Sequence, residues 1–327
     1  MFNNIILYVS ASFLIIFLIS IVSYKLYLVD KPSNRKIHSK PVAYTGGIAL
    51  SFIYILAIYL FDFHYQKFNY IFSIAFLIAI VGFLDDRYNF NVGGKLSLQI
   101  IPIIYLIIFQ NLNLNQIGDY KYFQLELNSL SIPFTLLSTM FLINSFNYFD
   151  GLDGTLSFTI ISSLCILLFI IPNEHIKFFL IIILIPILIF LFFNFSILKL
   201  PKLFLGDGGS LLLGFITSFT IIYLANQNIL HPILLAYSIS IFVYEFLAIN
   251  LIRIIRKKKI FKAGQDHLHH ILLKKNKSII LTNFLISIMN VVFFIFGYLS
   301  FKFINSLISL VLFIFLFIIY FMIRKKF

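Results

Sequence analysis

Charge is what this chain has least of. Only 11% of its 327 residues are Asp, Glu, Lys or Arg, against roughly 25% in an ordinary soluble domain, whereas 61% are hydrophobic. That balance excludes a soluble fold. Tryptophan is absent and there is one cysteine, Cys165. No disulfide can form within the chain, and the apolar run around Cys165 marks it as a packing residue rather than a redox reporter. No polar, proline-rich linker divides the sequence, and no long repeat or low-complexity segment interrupts it. One membrane domain over residues 1–327 is expected. The first apolar run, Ile5 to Leu28, follows Met1-Phe2-Asn3-Asn4. It lacks the basic leading segment of a secretory signal and exceeds the roughly 7 to 15 apolar residues of one, so it is expected to remain as a membrane helix.

What the chain has in abundance is apolar length. A bilayer core needs about 20 apolar residues per helix, and polar breaks divide the sequence into about eleven such runs. They lie near residues 5–28, 45–61, 69–84, 96–110, 130–146, 155–172, 178–197, 210–226, 232–255, 279–301 and 303–323. The expected fold is an all-α polytopic transmembrane bundle of about 11 helices (10–11).

Basic residues orient it. With the N-terminus outside, 21 of the 25 Lys and Arg fall in inner connections, including Lys25, Lys31, Arg35, Lys36, Lys40, Arg87, Lys95, Lys199, Lys202, nine residues from Arg253 to Lys277, and Arg324 to Lys326. Only Lys67, Lys121, Lys177 and Lys302 lie outside. The positive-inside rule therefore predicts a cytoplasmic C-terminus. The net charge of +13 follows the membrane and does not indicate nucleic acid. Asp30, Asp85, Asp86, Asp150, Asp153, Asp207 and Asp266 then sit at cytoplasmic helix ends, where an active site is expected. Asp62, Asp119, Glu126 and Glu174 lie outside and belong to no motif.

Five inner segments carry chemistry. Gly82-Phe83-Leu84-Asp85-Asp86-Arg87 closes an apolar run with adjacent acids. An Asp costs about 2.5 to 3.5 kcal/mol at the centre of a membrane helix, so such a pair faces a cation or a water-filled cleft, or else simply ends a helix. A site for Mg²⁺ or substrate phosphate is the functional reading. Lys95, ten residues after Asp85, is by itself an interfacial anchor. Asn144-Ser145-Phe146-Asn147-Tyr148-Phe149-Asp150-Gly151-Leu152-Asp153-Gly154 places Asn144, Asn147 and Asp150 three apart, on one face while the chain is helical. Its glycines allow backbone to approach a ligand; alternatively Asp150 and Asp153 cap the next helix. Leu205-Gly206-Asp207-Gly208-Gly209-Ser210 reads as a glycine-rich turn before a helix, where an anion is favoured, or as a turn with a capping Asp. Asp266-His267-Leu268-His269-His270 lies in the longest inner connection. Its histidines can donate to phosphate oxygens; zinc is disfavoured without a nearby cysteine or a second His pair. The nearby Arg256-Lys257-Lys258-Lys259 run suits anionic lipid. The fifth segment runs from Asp30 to Pro41 and on through Ala43, Tyr44 and Thr45 to Gly46-Gly47; its cations follow from topology, or hold a lipid phosphate.

Together, in this order and at these helix ends, the motifs resemble the polyprenyl-phosphate N-acetylhexosamine-1-phosphate transferases, glycosyltransferase family 4. His267-Leu268-His269-His270 looks like the GlcNAc-type branch, since the phospho-MurNAc-pentapeptide branch carries three consecutive histidines. The resemblance implies a multi-pass enzyme of the cytoplasmic membrane that initiates cell-envelope polysaccharides such as O-antigen or teichoic acid. Its implied partners are a UDP-N-acetylhexosamine, undecaprenyl phosphate and membrane lipid, with no nucleic acid and with a homodimer left open. The implied cofactor is Mg²⁺, with Mn²⁺ as a substitute. Carried over by motif, Asp85 and Asp86 match the catalytic pair, Asn147 and Asp207 match metal-binding positions, and Lys95 matches a diphosphate contact. Asp150 and Asp153 match the nucleotide-sugar site, with Asn144 assigned to substrate binding beside them, and His267, His269 and His270 match a loop closing over the donor.

Three departures stand out. Asn89 replaces a third acid of the first motif, Ala43-Tyr44 replaces Pro-Arg before Gly46-Gly47, and the acid expected late in the ninth run appears as Glu245 without a preceding proline. Two rivals remain. CDP-alcohol phosphotransferases need Ala-Arg after the first Asp-Gly, where this chain has none. A transporter would need charged mid-span residues or paired broken helices, and Glu245 is the one mid-span charge.

Overall fold

In lipid, backbone N–H and C=O groups have no water to bond, so long apolar segments must satisfy themselves as helices. The computed structural model describes residues 2–32, 38–259, 264 and 266–326, and it is 76% helical. The basic-loop residues 33–37, which include Arg35 and Lys36, lie outside the described set. In chain order the elements are α1 (Phe2–Lys25), β1 (Val29–Asp30), β2 (Val42–Ala43), α2 (Gly46–Leu60), α3 (Gln66–Tyr88), α4 (Val92–Phe109), β3 (Gln116–Asp119), β4 (Gln124–Glu126), α5 (Ser131–Phe149), α6 (Thr155–Ile170), α7 (Glu174–Asn194), α8 (Gly206–Asn226), α9 (Pro232–Ser238), α10 (Ser240–Ile255), α11 (Leu268–Asn276), α12 (Ile279–Phe303) and α13 (Ser306–Lys325). Among the described residues eight helices are long and apolar enough to cross a membrane, and α2 and α6 are shorter apolar helices.

Three expectations change here. The ninth run is not one straight span: α9 and α10 are bent by 73° across Ile239. The segment expected as a glycine-rich turn, Gly206 to Ser210, is instead the first turn of α8. Cys165, expected to pack inside, is exposed on α6. An outward face bathed in lipid is as apolar as the inner one, so hydropathy alone does not tell the faces apart.

The chain forms two compact units, Met1–Gln110 with Asn173–Thr217 and Asn111–Pro172 with Ser218–Phe327. In the first, α2 packs on α1, α3 and α7, and α3 on α4. Pro186 inside α7 removes the N–H that would bond the Ile182 carbonyl. The buried Tyr8 hydroxyl donates to that carbonyl at 3.0 Å, and the Tyr54 hydroxyl donates to Ile183 at 3.0 Å, so α1 and α2 are fixed against α7 at its weak point. At the opposite end of α2, the Gly46 and Gly47 amides, orphan donors of a helix start, donate to Phe204 and Leu205 at 3.0 and 2.8 Å. A Cβ on Gly47 would enter the Gly208–Gly209 backbone, and one on Gly82 would meet Asp207 backbone at 2.5 Å. The three helices α2, α3 and α8 therefore touch backbone to backbone where α8 begins. The short antiparallel β1–β2 pair leads into this contact, with the Phe204 amide donating to Ala43 at 2.7 Å. That is a structural duty for the segment that departs from the family's Pro-Arg.

In the second unit α12 packs on α6, α9, α11 and α13, and α10 on α5, α12 and α13. The break between α9 and α10 frees backbone groups, and the buried Asn290 of α12 takes them up. Its amide donates to the Ser238 carbonyl at 3.0 Å and to the Ser162 and Ser163 hydroxyls, while its oxygen accepts the Ile241 amide at 3.3 Å and the Ser240 hydroxyl. Asn290→Leu should destabilise the protein by about 2 to 3 kcal/mol, the cost of leaving buried polar groups unpaired. Thermal unfolding in detergent checks this; a midpoint within one degree of the unaltered protein would show that the break is held by something else.

Candidate active site

The first cluster forms where α3 ends and α4 and α8 begin. Successive helical residues point about 100° apart, so Asp85 and Asp86 take different partners. The Asp85 carboxylate accepts the Phe90 amide at 2.9 Å and pairs with the Lys95 ammonium at 2.8 Å. Lys95 also pairs with Asp207, 112 residues further on. A cation in the first turn of a helix opposes the helix dipole, and Lys95, in the first turn of α4 and only 14% exposed at its side chain, is balanced by these two carboxylates. Asp86 instead accepts the Asp207 amide at 2.9 Å and the Gly208 amide at 3.5 Å, so it caps α8 from a neighbouring helix. Gly206, just before, has φ +71 and leaves no room for a Cβ beside Tyr44 and Asp86. Asp85, Asp86 and Asp207, from two sequence motifs, and Lys95 are thus one cluster.

The second cluster belongs to the second unit. Asn144 and Asn147 lie in the last two turns of α5, and Asp150 is its C-cap. The Asn144 amide donates to Met140 at 2.7 Å. After the turn, Gly154, φ +76, stands at the N-cap of α6, so the residue at that position brings no side chain of its own. The turn is held by Asn283 of α12, whose amide donates to the Asp153 carbonyl at 2.8 Å while its oxygen accepts the Thr155 hydroxyl at 2.6 Å. The His269 ring lies against Gly151, where a Cβ would overlap it. His267 stands edge to face against Tyr148 at 5.0 Å and parallel to His269 at 5.6 Å. Buried Arg253 grips Asp266 with two hydrogen bonds of 3.0 and 2.7 Å. Asn144, Asn147, Asp150, Asp153 and the three histidines therefore share one unit.

The electrostatics are specific. Burial alone would raise the Asp266 carboxyl, but the Arg253 fork and charge outweigh it and hold the group at about 2. Burial pushes His267 down to about 4, and His269 well below the usual histidine range. His270 is lowered by burial and then by Lys274. At neutral pH these rings are uncharged and act through single N–H donors and lone pairs. Among the described residues, buried His267 Nδ1 and His269 Nε2 have no hydrogen-bond partner, an arrangement suited to a bound group. An unfolded histidine titrates near 6.5, so the unfolded chain binds more protons below that pH. Stability is fully present above about 6.5 and falls as pH drops toward 4, with His267 by itself accounting for about 2 to 3 kcal/mol at pH 4.5. Thermal unfolding against pH checks this: His267→Gln should make the profile shallower, leaving the share that His269 contributes, and an equally steep profile in that variant would remove His267 as a source.

Sequence reasoning missed Asn283, Asn290 and the Arg253 to Asp266 pair. The asparagines had a readable signal: two amides seven residues, or about two turns, apart in an otherwise apolar helix face inward. Among the described residues no group of three or more His, Cys, Asp or Glu is arranged as a metal cage.

Residues 68–225 match Glycosyl transferase family 4. The chain is similar to an undecaprenyl-phosphate alpha-N-acetylglucosaminyl 1-phosphate transferase of Escherichia coli O157:H7, 27% identical over 261 residues, which cover 77% of this chain and 71% of the relative. Its counterpart in Yersinia pestis is 28% identical over the same coverage. A probable undecaprenyl-phosphate N-acetylglucosaminyl 1-phosphate transferase of Bacillus subtilis (strain 168) is 30% identical over 260 residues, 76% of this chain and 70% of the relative.

Proposed function

The chain belongs to glycosyl transferase family 4, and we propose that it transfers an N-acetylhexosamine-1-phosphate from a UDP-sugar to undecaprenyl phosphate, releasing UMP at the cytoplasmic face of the membrane. The observation that carries this reading is the largely buried Lys95 ammonium held between Asp85 and Asp207 by ion pairs. Such a trio suits a phosphate: a cation to hold it and acids to orient it and its counter-ion.

An oxygen of the lipid phosphate attacks the β-phosphorus of the donor, the new P–O bond forms, and the bond to the UMP oxygen breaks with its electron pair. A phosphate monoester is already largely ionised at pH 7, with a second pKa of about 6. Asp85 therefore positions the nucleophile and has no need to deprotonate it. Lys95 neutralises charge on the diphosphate, and Asp86 keeps the first turn of α8, and with it Asp207, in place. The uncharged His267, His269 and His270 donate to the nucleotide sugar, and Asp150 and Asp153 orient it.

The donor chemistry of this cluster fits Mg²⁺. Asp85 and Asp207 are hard oxygen donors sharing one ammonium, a trio of net charge −1, and magnesium is usually held by one or two carboxylates, water and substrate phosphates. Asp207 would hold it, and when bound it supplies charge neutralisation for the two anionic reactants. Asn147, the other expected ligand, lies in the last turn of α5.

Purified protein in detergent, given UDP-GlcNAc, Mg²⁺ and undecaprenyl phosphate, should release UMP and form a lipid-diphospho-sugar. A panel of UDP-N-acetylhexosamines then identifies the sugar. Absence of UMP with every member of the panel would overturn the proposal, as expected of a transporter.

A further inference from the structure

The last turn of the chain is tied into the histidine segment. Of the positions on α13, only Ser309, Tyr320 and Arg324 are buried, so the helix commits two of its three buried side chains to one place. There Glu245 of α10, 2% exposed at its side chain, meets Arg324, 4% exposed. The Glu245 carboxylate accepts four donors: Arg324 Nε and Nη2 at 2.8 Å each, the Tyr320 hydroxyl at 2.7 Å, and the Leu268 amide at 2.8 Å. Arg324 also donates to the Asp266 carbonyl. Close by in sequence, Arg256 donates to the Lys325 carbonyl at 3.1 Å.

A buried ion pair is weak support for stability, because desolvating two charges offsets most of their attraction. What this pair does provide is position. The peptide groups on both sides of His267 are held, the Asp266 carbonyl by Arg324 and the Leu268 amide by Glu245. His267 itself gives α11 no side-chain cap, so the Glu245 carboxylate acts as cap from another helix, with its negative charge at the favourable end of the α11 dipole. Without Arg324, Glu245 would be a buried carboxylate with no cation to balance it.

We propose that Arg324, through Glu245 and with Tyr320, is a positioning residue that fixes the backbone of Asp266 to Leu268 and thereby aims His267, His269 and His270 at the nucleotide-sugar donor. The donor part rests on the function proposed above. Arg324 touches no reacting atom; it acts through the backbone of the histidine segment, and its guanidinium fork matters as well as its charge.

The test uses the full-length protein in detergent. Hydrogen exchange at the amides of residues 268–271 is measured alongside the KM for UDP-GlcNAc and for undecaprenyl phosphate in the unaltered chain, Arg324→Gln and Arg324→Lys. Arg324→Gln is expected to speed exchange at these amides at least tenfold, with α6 and the middle of α12 unchanged, and to raise the donor KM at least tenfold while the acceptor KM stays within twofold. Arg324→Lys, which keeps the charge but not the fork, should recover part of both effects. If Arg324→Gln does not fold, Glu245→Gln with Arg324→Gln removes both charges and is expected to show the same exchange and KM changes. Unchanged exchange at residues 268–271, exchange accelerated equally throughout the protein, or equal increases in both KM values would each overturn the proposal. If the unaltered chain transfers no sugar phosphate at all, the function proposed above fails, while the exchange comparison still decides whether Arg324 holds the segment.

Discussion

Replacing Asp207 by Ala is expected to lower turnover by about three orders of magnitude, the upper range for removing one preorganised electrostatic contact in an active site, while the protein stays folded. The fold should survive because the backbone contact of Asp207 is kept: its amide donates to Asp86, and it stands in the first turn of α8. Alanine keeps that amide and forms helix well. Loss of a negative charge at a helix start costs about 0.3 to 1 kcal/mol. Lys95 would keep Asp85 at 2.8 Å, so no buried ammonium is left alone. What disappears is the second carboxylate of the trio, the one assigned to the metal. UMP release, with size-exclusion and thermal unfolding as controls, checks the outcome. Activity within tenfold of the unaltered protein would sink the assignment of Asp207 to Mg²⁺.

Gly151→Ala is the second large effect, at about a hundredfold loss in kcat/KM, the scale on which a displacement near 1 Å acts on an assembled site. The backbone tolerates alanine here, since the positive-φ glycines are Gly118, Gly154 and Gly206. The cost is entirely steric. A Cβ at Gly151 overlaps the His269 ring, with His269 Cδ2 still only 3.2 Å away. His269 is 2% exposed and cannot swing into solvent. Either the Asp150 to Gly154 turn moves, with Asp153 held back by Asn283, or the start of α11 moves against the hold of Glu245. Both alter the second cluster while leaving the Lys95 trio intact. Donor KM and kcat measured on the alanine variant check this, and activity within threefold of the unaltered chain would show that the contact has no functional weight.

Much of the helical layout was legible in the sequence, for a physical reason. Where backbone groups cannot reach water, apolar length forces helix, and each apolar run is occupied by helix. The break at Ile239 was not legible, because no proline or glycine marks it. It is permitted by Asn290, fifty residues away, which takes up the freed backbone groups. The role of Asp86 was likewise hidden. Adjacent acids read as one pair, yet the helix turn sends them to different partners, and the α8 amides that Asp86 caps follow more than a hundred residues later. Arg324 gave no signal in a basic C-terminal tail that topology alone explains.

By itself, then, the sequence determined the kind of solvent around this protein, the helices that follow from it, and the polar residues that lipid would not tolerate without a partner. Those are local facts, set by transfer free energy and by backbone hydrogen bonding. The tertiary structure alone decided which partners those residues take: Lys95 between Asp85 and Asp207, Asn283 under the Asp153 turn, and Arg324 beneath the histidines. Apart from the Lys95 to Asp85 pair, these contacts join residues 58 or more positions apart. A pairing at that distance is set by how helices pack and not by the spacing of letters along them.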